Sequence, residues 1–444
     1  MSPDPPGRSR ADGWYGPPTG DPLAARLFPP LPGKVLWGLD RMQRIMAAVG
    51  SPHRSYPALV VGGTNGKGSV AHVWAGILQA SGLRVGLYTS PHLVHFRERI
   101  QVDGEPLSEA FLEEVADQLR SPIVKRQPSF FEATTALALT AFARAEVDVV
   151  VLEVGMGGRL DAVNVVEPIL TAVTNIGLEH REMLGEDHAA IAREKAGIFR
   201  PGVPAFTSAT NPEALRVLGE EAASLGLLLA RVGPAPGRST LTGLHPGTEL
   251  RLKTRTWGEL ELHTPLLGAH QRTNVSLAVR ALEALPPRLI PPRRAVVEGV
   301  ASARVPGRLQ LVEEGPRRLV LDVAHNPEGV MSLVEALREL APPTPRVAVV
   351  GILADKPVDA MLRALARGVD HLVLTVPPTA PPDRRWDPVA VVASMSDLDA
   401  SVRCEAEPDL ERAMERARAL TERRGTVVVT GSFYTVGGVL RLLG

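Results

Sequence analysis

The chain has 444 residues, with 49 Lys and Arg against 49 Asp and Glu, 44% hydrophobic and 22% charged residues. That length exceeds one ordinary core and predicts two or three domains, while the balanced charge gives no overall field to hold a polyanion and argues against nucleic acid as the main partner. A single cysteine, Cys404, excludes an internal disulfide framework and points to a reducing, cytoplasmic compartment.

Residues Met1 to Pro30 are rich in Pro and Gly and contain no apolar h-region, which reads as a flexible N-terminal tail without signal peptide or membrane anchor. A helical pattern then runs from Leu36 through Val49 and stops at Gly50-Ser51-Pro52. Pro57 to Val61 predicts a buried strand. The run breaks into Gly62-Gly63-Thr64-Asn65-Gly66-Lys67-Gly68-Ser69, and Ser69 to Gln79 has helical spacing. Glycines let successive backbone N–H groups turn toward one anion, the following helix presents its positive end, and Lys67 adds a mobile charge, so the stretch reads as a phosphate-binding loop. It is not a literal Walker A sequence, because three residues separate Gly62 from Gly66 and Gly68 stands after the lysine. Glycines alone could be a plain turn; the lysine, the serine and the strand-to-helix context favour phosphate.

Arg84 to Tyr88 predicts a second strand, leading into Thr89-Ser90-Pro91-His92-Leu93. Phe130 to Arg144 is an apolar helix opened by Ser129; Asp148 to Val154 is an unbroken apolar strand running into Gly155-Met156-Gly157-Gly158; Ile169 to Thr174 leads into Asn175-Ile176-Gly177-Leu178-Glu179-His180. Strands apolar on both faces imply a parallel sheet covered by helices. Glu249 to His263 alternates about Thr256-Trp257-Gly258 as an antiparallel hairpin, of the kind that often extends such a sheet. After a helix at Ala269 to Leu285, a domain boundary is expected around Val305-Pro306-Gly307-Arg308. Beyond it, strands at Leu319–Val323, Arg346–Gly351, His371–Val376 and Thr426–Thr430 alternate with helices at Glu328–Leu340, Val358–Ala366 and Leu410–Glu422. The expected fold is therefore two-domain α/β: a larger P-loop mixed α/β body at 31–304 and a smaller Rossmann-like C-terminal domain at 305–444, after a tail at 1–30.

Chemistry is expected where strands end. Ser90, Glu153 and His180 each follow an apolar strand of one sheet, and Mg²⁺ at a nucleotide takes oxygen ligands from one or two carboxylates, hydroxyls and water. Taken singly, each has a plainer reading: a turn cap, a surface ion pair, a structural histidine.

The segment Gly63-Thr64-Asn65-Gly66-Lys67-Gly68-Ser69 resembles the nucleotide loop of the Mur ligase superfamily, within it the folylpolyglutamate synthase and dihydrofolate synthase branch. Thr89-Ser90-Pro91-His92, Glu153-Val154-Gly155 and Gly177-Leu178-Glu179-His180 resemble the same branch. The resemblance implies that Ser90, Glu153 and His180 hold magnesium at the phosphates of ATP, and that Lys195, in a segment otherwise read as a charged helix face, matches a carbamylated metal-ligand lysine. It implies adenine and phosphate contacts from Asn274 and Arg308, with Asp322 and His325 completing the nucleotide site; Asp322 and Asn326 could equally cap a helix. Ser129, Phe130, Phe131 and Glu132, with Leu160, Asp161 and Ala162, resemble pterin-side contacts, against plainer roles in a helix core and a capped loop. Two departures stand out: Val163 where the family has threonine, and Val323 where it has glycine. What the resemblance implies is ATP-dependent joining of L-glutamate to a dihydropteroate or reduced-folate carboxylate through an acyl phosphate; composition and charge add the expectation of a cytoplasmic protein with no membrane or nucleic-acid partner, and a monomer is expected. The alternatives are another Mur-type amino-acid ligase, or a nucleotide-switched binding protein without ligase activity.

Overall fold

The computed structural model describes residues 21–31, 36–241, 246–315, 317–395, 402–422 and 424–444. Its larger body is built on eight strands: β1 (Ala58–Gly62), β2 (Val85–Tyr88), β3 (Ile100–Val102), β4 (Glu105–Pro106), β5 (Val149–Glu153), β6 (Pro168–Val173), β7 (Ala205–Thr207) and β8 (Leu229–Arg231), in the order β4-β3-β2-β5-β1-β6-β7-β8. Six of them are parallel, and β3 and β4 close one edge antiparallel. Because side chains alternate along a strand, the buried runs of β1 and β5 serve two cores. Ala58, Val60, Val150 and Leu152 face one; Leu59, Val61, Val149 and Val151 face the other. With β5 and β6 flanking β1, a crevice opens beyond the carboxyl end of β1, where ligands bind in open parallel sheets.

The hairpin expected near Thr256 forms, but it does not extend the large sheet. β10 (Gly247–Lys253) and β11 (Glu259–Thr264) pair with β9 (Gly237–Thr240) in a separate three-stranded sheet. Leu250, Leu252, Leu260 and Leu262 lay its apolar face over the core that holds the helices Lys67–Ala80 and Ala269–Leu282. The second body has six strands, β12 (Gln310–Glu314), β13 (Arg317–Leu321), β14 (Arg346–Val350), β15 (His371–Leu374), β16 (Arg403–Ala406) and β17 (Thr426–Thr430), in the order β12-β13-β17-β14-β15-β16. All are parallel except β12.

The expected tail is corrected in part. Residues 1–20 lie outside those described, but Asp21 caps a helix at Pro22–Leu27, and Leu23, Ala24, Leu27 and Phe28 are buried. Phe28 meets Phe96 and Phe130 edge to face, so this segment is held by aromatic packing. Among the described residues no helix is long and apolar enough to cross a membrane.

Candidate active site

The loop after β1 owes its path to glycine. Gly63 has φ 135° and Gly66 φ 90°, and a Cβ on Gly63 would collide with Thr174 Oγ1. The loop is tied to the end of β6: Asn175 O accepts from Thr64 N (2.9 Å), Asn175 Oδ1 from Asn65 N (2.7 Å), and Thr64 Oγ1 from Gly177 N (3.0 Å). Lys67 opens the helix, and its Nζ donates to Gly63 O (3.0 Å) and Thr64 O (2.9 Å). Gly68, the departure from Walker A, follows Lys67 in the first turn of this helix. A Cβ at that position would lie 3.7 Å from Glu153 Oε2, so the first helical turn runs directly beside a buried carboxylate. Ser69 is buried within the same turn.

Three strand ends converge below the loop. Glu153, the last residue of β5, is 4% exposed; its Oε2 accepts from Ser90 N (3.1 Å), and burial pushes its pKa up against the pull of Lys67. His180 adopts a left-handed φ of 50°, and burial lowers it to about 4 although Glu179 opposes this. Lys195, 1% exposed, donates to Gly63 O (2.8 Å) and stands 3.7 Å from Glu179 Oε1. Burial lowers it to about 8, with Glu179 resisting and Lys67 adding to the fall. Burial alone would raise Glu179, but Lys195, Lys67, His180 and His325 together hold it at about 2. Glu179 was not singled out from the sequence, although it adjoins His180 in a segment that was.

The second body faces this from across the crevice. Asp322 accepts from Leu309 N and Ala324 N, both at 2.9 Å, so its buried carboxylate braces the turn that carries Arg308. It does not line the cavity and it does not cap the helix. Asn326 does cap it, accepting from Gly329 N (2.7 Å), while its amide meets that of Asn65 at 3.3 Å across the domains. Arg308 lies over the Phe433 ring at 5.6 Å, and His325 is tilted against the same ring at 5.5 Å. His325 Nδ1 sits 2.9 Å from Val323 O; a carbonyl only accepts, so Nδ1 carries the proton and Nε2 is left as an acceptor. Val323, the second departure, fills the space above Gly307, whose φ is 69°. Asn274 is held by Gln271 Oε1 (3.0 Å) and its Oδ1 rests against Gly66, 2.5 Å from where a Cβ would stand.

On the other side, Ser129 and Glu132 form a reciprocal capping box at 2.7 and 3.3 Å, and Arg41 pairs with Glu132 at 3.0 Å. The Glu132 carboxylate therefore serves its own helix first. Phe131 sits against Gly155, where a Cβ would clash with its ring, and Phe130 joins the cluster with Phe28 and Phe96. Asp161 accepts from Met156 N and Val163 N, both at 2.9 Å, and burial pushes it up to about 6.

A cavity of about 350 Å³ lies between the two bodies. Thr64, Lys67, Ser90, Glu153, His180, Arg308 and His325 line it, as do Ser129, Phe130, Phe131, Glu132, Leu160, Asp161 and Ala162. Gly63, Asn65, Gly66, Gly68, Ser69, Lys195, Asn274 and Asp322 are not among the residues that line it. The cavity also takes in Arg99, Lys356, Arg384 and Tyr434, which sequence reasoning did not single out, and His92, which it named only as part of the Ser90 segment. Charged and hydroxyl side chains of short loops give no periodic signal, so only their convergence in space reveals them.

A phosphate-type loop and buried carboxylate facing an arginine and histidine from a second α/β body define an ATP-dependent, amide-forming ligase of the Mur type. The Mur ligase middle domain matches residues 61–282, and the Mur ligase glutamate ligase domain matches 307–433. The dihydrofolate synthase/folylpolyglutamate synthase of Bacillus subtilis is 34% identical over 91% of this chain and 95% of its own length. That of Mycobacterium tuberculosis is 33% identical over 91% and 90%. Among solved structures, Escherichia coli FolC in complex with DHPP and ADP superposes with a TM-score of 0.82 at 33% identity, covering 96% of this chain and 99% of that one. The folylpolyglutamate synthase of Mycobacterium tuberculosis complexed with ADP and AMPPCP also gives 0.82 at 33% identity, over 92% and 95%. The chain belongs to the dihydrofolate synthase and folylpolyglutamate synthase family, ATP-dependent glutamate ligases of folate metabolism.

Proposed function

We propose that this enzyme joins the amino group of L-glutamate to the carboxylate of dihydropteroate or a reduced folate, through an acyl phosphate formed with ATP. The observation that carries the reading is the shared cavity, which sets Lys67 and Glu153 of one body opposite Arg308 and His325 of the other. A carboxylate is a poor acylating agent until its oxygen accepts the γ-phosphoryl group; glutamate nitrogen then attacks the carbonyl and phosphate leaves. Lys67 spends two N–H groups on its own loop and keeps a third for a phosphate oxygen. With Arg308 it offsets charge on the transferred group. Neutral His325, with Nε2 as an acceptor, takes up the proton the attacking amine must lose. Closure between the bodies keeps water from the acyl phosphate.

Magnesium fits this site. Glu153 is a buried carboxylate with a single backbone hydrogen bond, Ser90 adjoins it, and His180 and Lys195 stand nearby. Among the described residues no three acidic, His or Cys side chains gather into a cluster, and Mg²⁺ at a nucleotide needs only one or two protein oxygens besides phosphate and water. When bound it would neutralise phosphate charge. As a carbamate, Lys195 would add an anionic ligand. We further propose that residues 31–304 bind ATP, that 305–444 deliver glutamate, and that the enzyme works as a cytoplasmic monomer, since one chain supplies both cavity walls. Offering dihydropteroate and reduced folates separately, each with ¹⁸O in the reacting carboxylate, tests the reading. Glutamylated product with ¹⁸O in the released phosphate is expected; product without label in phosphate would overturn the acyl-phosphate route.

A further inference from the structure

His92 and Arg99 lie in the cavity wall, each 6% exposed. Arg99 Nε donates to His92 Nδ1 at 2.8 Å. A guanidinium is always a donor, so Nδ1 must be the acceptor and the imidazole proton sits on Nε2. That Nε2–H is buried and has no hydrogen-bond partner among the described residues. Arg99 is no better satisfied, for among the described residues no carboxylate lies within ion-pairing distance of it; its guanidinium rests over the Phe130 ring at 5.7 Å. An unpartnered buried donor and an unpaired buried cation are both costly to keep, and together at a cavity wall they describe the complement of an anion. The surroundings choose among the anions of the reaction. Phe96 and Phe130 pack against this pair, with ring centroids 6.1 Å apart between His92 and Phe96, and Phe130 adjoins Phe131. The glycine loop lies elsewhere, on the ends of β1 and β6. An anion with an aromatic body fits such a place better than triphosphate or free glutamate does.

We propose that His92 and Arg99 form the anchor for the carboxylate of the acceptor acid, His92 donating from Nε2–H and Arg99 from its remaining N–H groups. This rests on the acceptor being an aromatic acid, as proposed above, and adds the residues that hold its carboxylate. His92→Asn keeps an oxygen for Arg99 but removes the distal donor; His92→Gln restores a donor near the Nε2 position. The KM for the acceptor acid should rise about tenfold or more in His92→Asn, with the KM values for ATP and glutamate unchanged, and His92→Gln should recover part of the loss. In case both variants misfold, ¹⁵N-histidine NMR of the wild-type enzyme should show one Nε2–H tautomer whose proton moves on adding dihydropteroate and stays in place on adding ATP or glutamate. An unchanged acceptor KM in a folded His92→Asn, or a proton that ignores the acid, means the donor meets a buried water only and overturns the proposal. A wild-type enzyme that turns over no pterin acid at all would instead overturn the functional reading.

Discussion

Lys195 shows how far one burial changes a residue's options. An ordinary lysine, near 10.5, has almost no neutral amine at pH 7, whereas one lowered to about 8 has roughly a tenth. Carbamate forms from neutral amine and CO₂, so turnover should fall in CO₂-depleted buffer and recover with bicarbonate; indifference to CO₂ would leave Lys195 as a plain ammonium. The same shift sets a stability window. Between about pH 8 and 10.5 the unfolded chain holds more protons at this residue than the folded one, so its burial penalty is constant below 8 and is relieved as pH rises through that range. Denaturation midpoints of the CO₂-depleted wild type, relative to Lys195→Met, should therefore improve between pH 8 and 10. Lys67→Ala acts differently, because its bonds are to its own loop. It should lower kcat by about 10² to 10³ while moving Tm by roughly 2 °C or less; an undiminished kcat would remove the phosphate reading of the loop.

The elements are joined by a few close approaches. Leu93, three residues beyond Ser90, carries its side chain into the core of the second body with Val323 and Val436, and Gly437 of the helix Phe433–Leu443 lies against its carbonyl. A methyl group at 437 would strike backbone oxygen. Gly437→Ala should thus cost about 1–3 kcal/mol in urea unfolding and slow turnover by displacing the Ser90 segment; a variant of full stability and activity would show that the contact yields. Apolar strands such as β5 and β14 were legible in the sequence because burial on both faces leaves an unbroken run. The edge strands β12 and β16 were not, since their partly exposed, charged residues carry no such run. Helix Glu109–Arg126 escaped for a related reason, its pattern being diluted by charge and interrupted by Pro122. Residues at the boundaries of elements in motif spacing, Lys67 at a helix start and Glu153 at a strand end, were legible as candidates. His92 and Arg99 acquire meaning only when the chain brings them to one wall, and Glu132 and Asp322, legible as site residues, proved to be committed largely to capping and bracing.

At the scale of the whole molecule, the covalent passage between the bodies runs through Val305 to Arg308, and the cross-domain amide pair of Asn65 and Asn326 is long at 3.3 Å. Such a joint suits a hinge. Solution scattering should show compaction on adding ATP with a pterin acid; an unchanged radius of gyration would argue for a rigid pair. Everything rests on one cavity serving three substrates at once. The direct test is steady ADP release by the wild-type enzyme, with each substrate withheld in turn and the product weighed. ADP should form only when both a pterin acid and L-glutamate are present, one for each glutamyl residue added. ADP release that ignores the acid or the glutamate, or that leaves no glutamylated product, would contradict the account.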